Sequence, residues 1–142
     1  MIAVRRILKP RGVDAWGDGS FKASRGGGKR EHKGIDYESE PNDAVYSPVA
    51  GTVSKLGYPY QPSPDDTITY RYVEISDSDG TRHRVFYCDP SVGMGVEVDT
   101  STVIGLAQDI AAKYSTPDRI MKNHVHYEII DKDGNLINPE EA

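Results

Sequence analysis

Three of the four histidines in this 142-residue chain stand at spacings that suit metal chemistry. Asp36 follows His32 by four positions, and His126 follows His124 by two. On a β-strand, residues two apart point to the same face at roughly 7 Å, so one imidazole can bind a metal ion while the other reaches its bound water. Two histidines and one carboxylate are a ligand set typical of catalytic zinc, which keeps its fourth position open for water. A hydrolase uses an open position of this kind.

The segments that must position these residues read as β-strands. Short apolar or β-branched runs alternate with turn clusters, and those at residues 77–80 and 131–134 are typical of hairpins. One helical stretch is predicted at residues 107–114, before Pro117 ends it. Between His32 and Asp36, Gly34 permits a tight backbone path. The strand-like runs lie at residues 44–53, 67–76, 82–87, 103–106 and 124–130.

Alternation in the last run separates a polar face from an apolar one. The polar set is His124, His126 and Glu128, and the apolar set is Val125, Tyr127 and Ile129. We expect Tyr127 and Ile129 in the core. For Glu128 two roles stay open, a carboxylate that orients an imidazole and a solvated strand residue. The predicted fold is one mainly β domain over residues 1–142, an antiparallel β-sandwich or partly open barrel with one short helical insertion.

Composition excludes several classes of protein. The formal net charge of −5 has the wrong sign for a protein that mainly binds polyanions, so nucleic acid is not an expected partner. Apolar stretches are far shorter than the roughly 20 residues of a membrane span, and residues 1–10 lack the features of a signal peptide. The single cysteine, Cys88, excludes an internal disulfide and a zinc site built from several cysteines.

The two histidine motifs and the segments between them resemble the lysostaphin-type (LytM-type) zinc metalloendopeptidases, which cut peptide bonds in bacterial peptidoglycan. In that family a His-x-x-x-Asp motif comes early, and a His-x-His in a strand ending in an aromatic residue and Glu comes near the end. The resemblance covers about residues 20–139. The matching stretches are residues 32–37, 45–53, 103–105 and 124–129, with a closing turn at residues 133–134 and 138–139.

The resemblance implies a β-sheet core of the duplicated hybrid motif type, with a groove over one sheet and one zinc ion at its floor. It makes His32, Asp36 and His126 the zinc ligands and His124 a catalytic residue near the zinc-bound water. Zinc would act as a Lewis acid on the scissile carbonyl and lower the pKa of its water toward 7. His124 would accept a proton or donate a hydrogen bond to the developing oxyanion.

One motif of the family is incomplete in this chain. The family usually carries a further histidine in a Tyr-x-His motif on a middle strand, where this chain has Val-Phe-Tyr-Cys-Asp-Pro at residues 85–90. Asp89 takes the histidine position if Tyr87 is the motif tyrosine, and Cys88 takes it if Phe86 is. We assign Asp89 as the catalytic candidate. It can act as a base or orient His124, but it donates no hydrogen bond to an oxyanion unless it is protonated.

Two further departures concern the groove. His83, which alternation places on one strand face with Tyr87 and Asp89, could substitute for the motif histidine; the alternative is an exposed histidine in the charged run 82–84. Residues 107–114 replace a short glycine-rich loop of the family, so substrate preference can differ.

The leading hypothesis is a zinc endopeptidase acting on the stem or cross-bridge peptides of peptidoglycan. An alternative is a catalytically degenerate module that keeps zinc and binds peptidoglycan or regulates another protein. A third reading is a metal-free β domain with incidental histidines. The chain as given carries no signal peptide, which suggests delivery to the cell wall or periplasm by a bacteriophage tail, by lysis machinery or by a secretion system.

Overall fold

The computed structural model describes residues 34–117 and 121–139, together with five two-residue strands nearer the N-terminus. Those strands are β1 (Lys9–Pro10), β2 (Val13–Asp14), β3 (Gly17–Asp18), β4 (Ser24–Arg25) and β5 (Arg30–Glu31). The remaining elements are β6 (Ile35–Glu38), β7 (Ala44–Tyr46), β8 (Gly51–Gly57), β9 (Tyr72–Ser76), β10 (Arg82–Phe86), β11 (Cys88–Pro90), β12 (Glu97–Val98), β13 (Val103–Ala107), α1 (Ala111–Tyr114), β14 (His124–Ile130) and β15 (Leu136–Ile137).

Two larger antiparallel sheets organise the described residues. The first has eight strands in the order β1-β6-β14-β10-β9-β8-β12, with β15 paired to β14, and the second has three in the order β11-β13-β7. Two small hairpins, β2–β3 and β4–β5, complete the described strands. Neither larger sheet closes into a barrel in this part of the chain. Because the strands of both sheets pair antiparallel, the predicted antiparallel β fold is confirmed. No helix among the described residues has the length and apolar character that crossing a membrane requires.

The core lies between the two larger sheets, because one cluster of buried apolar side chains joins residues from both. Val73, Val85 and Val125 come from the eight-stranded sheet, and Val45 and Ile104 come from the three-stranded one. All five are at most 1% exposed. Full burial of such a side chain stabilises the fold by about 1.5–3 kcal/mol.

Strand β14 behaves as its alternation predicts. Val125, Tyr127 and Ile129 are at most 1% exposed and belong to the core cluster, which confirms the expectation for Tyr127 and Ile129. The hairpin turns predicted at residues 77–80 and 131–134 are also confirmed. Gly80 lies in the turn from β9 to β10 with φ of 80°, and Gly134 lies in the turn from β14 to β15 with φ of 86°. Glycine adopts this backbone conformation without strain.

The predicted helix at residues 107–114 is wrong in its extent. Ala107 ends β13, where its N–H donates to the carbonyl of Asp43 and its own carbonyl accepts from Asn42. These cross-strand bonds fix Ala107 in the sheet, so the helix α1 covers Ala111–Tyr114 alone. A single turn of this kind depends on its surroundings, because so short a helix has little stability of its own.

Candidate metal centre and catalytic site

Strand register places the candidate ligands next to one another. Strand β14 lies between β6 and β10, and Asp36 of β6 and Phe86 of β10 both stand directly opposite His126. Asp36 Oδ1 lies 2.8 Å from Nδ1 of His126, and the Phe86 ring meets the imidazole edge-on with centroids 5.2 Å apart. Two of the three side chains predicted as zinc ligands are therefore in contact. His32, the third, lies outside the described residues.

Gly34 allows this close approach of β6 to β14. A Cβ at Gly34 would overlap the carbonyl oxygen of Tyr127, so a residue with a side chain could not sit here without moving the backbone. Two positions later, Asp36 is 3% exposed. The tight backbone path that Gly34 predicts is thus realised against the backbone of β14.

Both ring nitrogens of His126 face carboxylates. Nδ1 lies 2.8 Å from Asp36 Oδ1, and Nε2 lies 2.9 Å from Oε1 of Glu128. Because ionised carboxylates only accept hydrogen bonds, both nitrogens donate and the metal-free ring is an imidazolium. Burial by itself lowers the pKa of His126, but the hydrogen bonds and charges of Asp36 and Glu128 outweigh it and raise the pKa to about 9. Of the two roles open to Glu128, contact with an imidazole is the one that this geometry favours.

The tautomer of His124 follows from its backbone contact. Its Nδ1 lies 2.9 Å from the carbonyl oxygen of Lys122, and a carbonyl only accepts, so Nδ1–H donates. In the neutral ring Nε2 therefore carries the lone pair. This nitrogen faces Oδ2 of Asp36 at 3.5 Å, and the residue is 4% exposed. His124 can accept a proton at a position beside the candidate metal ligands.

The donor types fit zinc, although the described residues alone do not complete a site. Among them no group of three or more His, Cys, Asp or Glu side chains has the arrangement that holds a metal ion. Carboxylate oxygen and imidazole nitrogen are nevertheless zinc donors. Two ligand atoms on one tetrahedral zinc lie about 3.3 Å apart, so the Asp36 and His126 pair would have to separate by only about half an ångström. His32 would supply the third donor.

The two residues considered for the missing motif histidine belong to the other sheet. Cys88 is fully buried in the core, where burial raises the pKa of its thiol to about 12. Asp89 is exposed on β11, opposite Leu106, and lines a surface pocket with Asn42 and Asp109. Its catalytic role stays a prediction.

His83 is a core residue, so the expectation of an exposed histidine is wrong. It is 4% exposed, and alternation along β10 places it with Val85 on the face that packs into the core. Nε2–H donates to Oδ2 of Asp77 at 3.0 Å, which leaves Nδ1 to accept from the Tyr127 hydroxyl at 2.7 Å. Burial lowers the pKa of His83, and Asp77 partly opposes that shift. The ring has a structural position away from β14's polar face.

Tyr87, which the sequence offers only as the motif tyrosine, contacts His124, and sequence reasoning missed this contact. Its ring lies edge-on to His124, with centroids 5.7 Å apart and an interplanar angle of 81°. Its hydroxyl lies 3.2 Å from that of Tyr60. Burial raises the pKa of Tyr87 to about 12, and the charges of Asp36 and Glu128 add to the rise. The backbone of Tyr87 has φ of 64°, which nothing in the sequence predicts for a tyrosine.

Solved structures of known proteins share this fold. The catalytic domain of the antimicrobial peptidase lysostaphin from Staphylococcus simulans is 15% identical, with a TM-score of 0.59 and 86% of each chain covered. A zinc-containing peptidase from Vibrio cholerae is 22% identical, with a TM-score of 0.60; the match covers 83% of this chain and 33% of that one. A chain of the SpoIIQ–SpoIIIAH pore-forming complex is 20% identical, with a TM-score of 0.63, and 99% of this chain and 86% of that one are covered.

The family assignment comes from the sequence match. A search of curated proteins gives no match. The profile of peptidase family M23 matches residues 30–139, well over half of the 142 residues, and the matched range includes both histidine motifs. The structural neighbours named as peptidases agree with this match in fold. The chain is therefore a member of peptidase family M23, and the expected kinship with LytM-type peptidases is confirmed.

Proposed function

We propose that this protein is a zinc-dependent endopeptidase that hydrolyses peptide bonds in the stem or cross-bridge peptides of bacterial peptidoglycan. The observation that carries the proposal is the contact of Asp36 with both histidines of β14, at 2.8 Å from His126 and 3.5 Å from His124. Membership of peptidase family M23 supports a metallopeptidase, and the neighbours described as lysostaphin and as a zinc-containing peptidase support peptidoglycan and zinc as the substrate and the metal.

Asp36 and His126, with His32, would hold the metal. When bound, zinc supplies Lewis-acid polarisation of the scissile carbonyl and lowers the pKa of a water molecule there. Nδ1 of His126 is the nitrogen that can share an ion with Asp36, because it is the one facing that carboxylate. Nε2–H would keep its hydrogen bond to Glu128, and that bond would orient the ring toward the metal.

His124 would move the proton. The Lys122 carbonyl holds Nδ1–H, so Nε2 is the basic nitrogen and faces the candidate metal ligands. A nitrogen in that position can take a proton from the attacking water and return it to the leaving amine. Loss of such a group typically costs about 10²- to 10⁴-fold in rate.

The test combines zinc content with product analysis. Purified peptidoglycans of several wall types are incubated with the zinc-loaded protein, and released muropeptides are identified by mass spectrometry. His126→Ala should lose zinc and hydrolysis together. His124→Ala should keep one zinc per chain and lose hydrolysis. His83→Gln is the matched control, because it removes a buried histidine of the same sheet outside the site, and it should keep both.

Two outcomes would contradict the proposal. If both His124→Ala and His126→Ala still hydrolyse peptidoglycan, this site does not catalyse the reaction. If the wild-type protein binds zinc but releases no new fragments from any wall, the result favours the binding or regulatory module instead.

Delivery by phage machinery and action in the cell wall or periplasm stay predictions, as do the single domain over residues 1–142 and the role of Asp89.

A further inference from the structure

The backbone conformation of Tyr87 directs its side chain toward the polar face of β14. Alternation along β10 would place Tyr87 with His83 and Val85, which both point into the core. The left-handed backbone, with φ of 64°, breaks that alternation. The Tyr87 ring instead contacts Phe86 and His124, with centroid distances of 6.4 Å and 5.7 Å. A bulky residue rarely adopts this strained conformation, and such strain is concentrated at functional sites.

The neighbouring tyrosines allow a hydrogen-bond arrangement in which the Tyr87 hydroxyl accepts. The Tyr114 hydroxyl donates to the Tyr60 oxygen at 2.7 Å, and the Tyr60 and Tyr87 hydroxyls lie 3.2 Å apart. Since each hydroxyl has one proton, Tyr60 can accept from Tyr114 and donate to Tyr87. Tyr87 then accepts, and its own proton is available to a further acceptor. Tyr60 is the hydrogen-bond partner that the described part of the chain gives to this hydroxyl.

We propose that the Tyr87 hydroxyl donates a hydrogen bond to the oxyanion that forms at the scissile carbonyl. Tyr60 and Tyr114 are positioning residues that hold it. The inference rests on the proposed peptidase function, and it names the group that supplies the donor expected from the missing motif histidine. Asp89 as a carboxylate has no proton to donate, and Cys88 lies in the core. A phenol keeps its proton at neutral pH, and the Tyr87 ring lies against His124.

The chain of hydroxyls from Tyr114 through Tyr60 to Tyr87, called the relay below, also links the site to two other segments of the chain. Tyr60, in the loop between β8 and β9, contacts the Tyr87 hydroxyl, and Tyr114, which ends α1, contacts the Tyr60 hydroxyl. The Tyr60 and Tyr87 rings stack at 16° with centroids 6.4 Å apart. Ring packing therefore restrains the phenol, which lowers the reorganisation needed when charge develops on the substrate.

The experiment compares a tetrahedral analogue with the substrate itself. The probe is a phosphinic analogue of the peptide that muropeptide analysis identifies, tested against zinc-loaded wild type and Tyr87→Phe by calorimetry. The variant keeps the ring and the backbone and removes only the hydroxyl. We expect it to bind the analogue about 10²- to 10³-fold more weakly and to lower kcat by a similar factor. KM, zinc content and Tm should stay close to those of the wild type.

Tyr70→Phe is the matched control. The Tyr70 ring contacts the rings of both Tyr60 and Tyr87, but its hydroxyl donates to the carbonyl of Asp109 at 2.7 Å. Its loss should leave the affinity for the analogue unchanged. Tyr60→Phe removes the relay and should weaken analogue binding by about 2- to 10-fold, without a matching change in KM.

The possible failures are distinguishable. Equal binding of the analogue by wild type and Tyr87→Phe, with hydrolysis intact, overturns the role of Tyr87 alone. Equal losses in Tyr87→Phe and Tyr70→Phe also overturn it, because they indicate a general effect of the tyrosine cluster. Wild-type protein that releases no muropeptides from any peptidoglycan overturns the proposed function and this inference together.

Discussion

Replacing Glu128 by Gln is expected to weaken zinc binding about 5- to 30-fold without unfolding the protein. Glu128 is 7% exposed, and its Oε1 accepts from Nε2–H of His126 at 2.9 Å. The amide oxygen of Gln can still accept, so the change converts a charge-assisted hydrogen bond into a neutral one. The difference between the two kinds of bond is about 1–2 kcal/mol, and each 1.4 kcal/mol is tenfold in an equilibrium constant. Losses of 10- to 100-fold are typical for carboxylates behind a metal-bound imidazole.

The assay is competition with a chromophoric chelator at fixed pH, read as a zinc dissociation constant. Glu128→Ala should lose more affinity than Glu128→Gln, because it leaves the imidazole N–H without its acceptor. Glu74→Gln is the control. Glu74 is another buried carboxylate of the same sheet, and it binds Nε of Arg84 at 2.7 Å and Oγ of Ser54 at 2.8 Å.

The control should lose thermal stability, because the ion pair of the buried Glu74 with the partly exposed Arg84 is broken, while zinc affinity stays at the wild-type value. A zinc dissociation constant of Glu128→Gln within twofold of wild type would refute the reasoning. Equal losses of zinc affinity in Glu74→Gln and Glu128→Gln would refute it as well. Either result would mean that the contact between Glu128 and His126 does not support metal binding.

Three further outcomes follow from buried groups. Burial lowers the pKa of His83 in the folded state, so as the pH falls the unfolded chain binds a proton before the folded chain does. The free energy of unfolding should therefore fall below pH 6.5, by up to about 1.4 kcal/mol per pH unit, until the pKa of the folded state is reached. Asp77→Asn removes the group that opposes this shift, so the loss of stability should extend to lower pH. Urea unfolding between pH 7.5 and 5 measures it. Parallel curves of unfolding free energy against pH for the variant and the wild type would contradict this expectation. Gly34→Ala should cost about 1–3 kcal/mol by overlap with the backbone of β14, whereas Gly93→Ala, with open space around it, should have a Tm near that of the wild type. The Cys88 thiol, whose pKa burial raises to about 12, should resist a thiol-specific reagent at pH 8 and react only on unfolding; rapid labelling of the folded protein would place it at the surface.

Strand β14 was the element most accessible to sequence reasoning. Its alternating residues predict one polar and one apolar face, and the Asp-Gly turn that follows predicts the hairpin to β15. Both signals are local, so they survive in the folded chain. The contact of Asp36 with His126 is different, because it depends on the register of β6 against β14. The family resemblance implied that pairing, and the residues of either strand alone do not.

The misread residues share a physical reason, which is that tertiary contacts overrule a local pattern. His83 sits in a charged run, but its position in the alternation directs it into the core, where Asp77 and a tyrosine hydroxyl satisfy its ring. Ala107 has helical propensity, but its backbone pairs with Asp43. Tyr87 stands where the chain leaves the eight-stranded sheet for the three-stranded one, and its left-handed backbone there breaks the alternation of β10.

The pairing of Asp36 with His126 also orders events during synthesis of the chain. The two residues are 90 positions apart, so the first carboxylate leaves the ribosome long before its partner exists. Contacts between residues so far apart in sequence carry a loop-closure entropy cost and slow folding. A metal ion that needs both residues therefore cannot be captured by the nascent N-terminal half. Loading of the proposed zinc site would therefore have to wait until β14 has been translated and paired with β6 and β10.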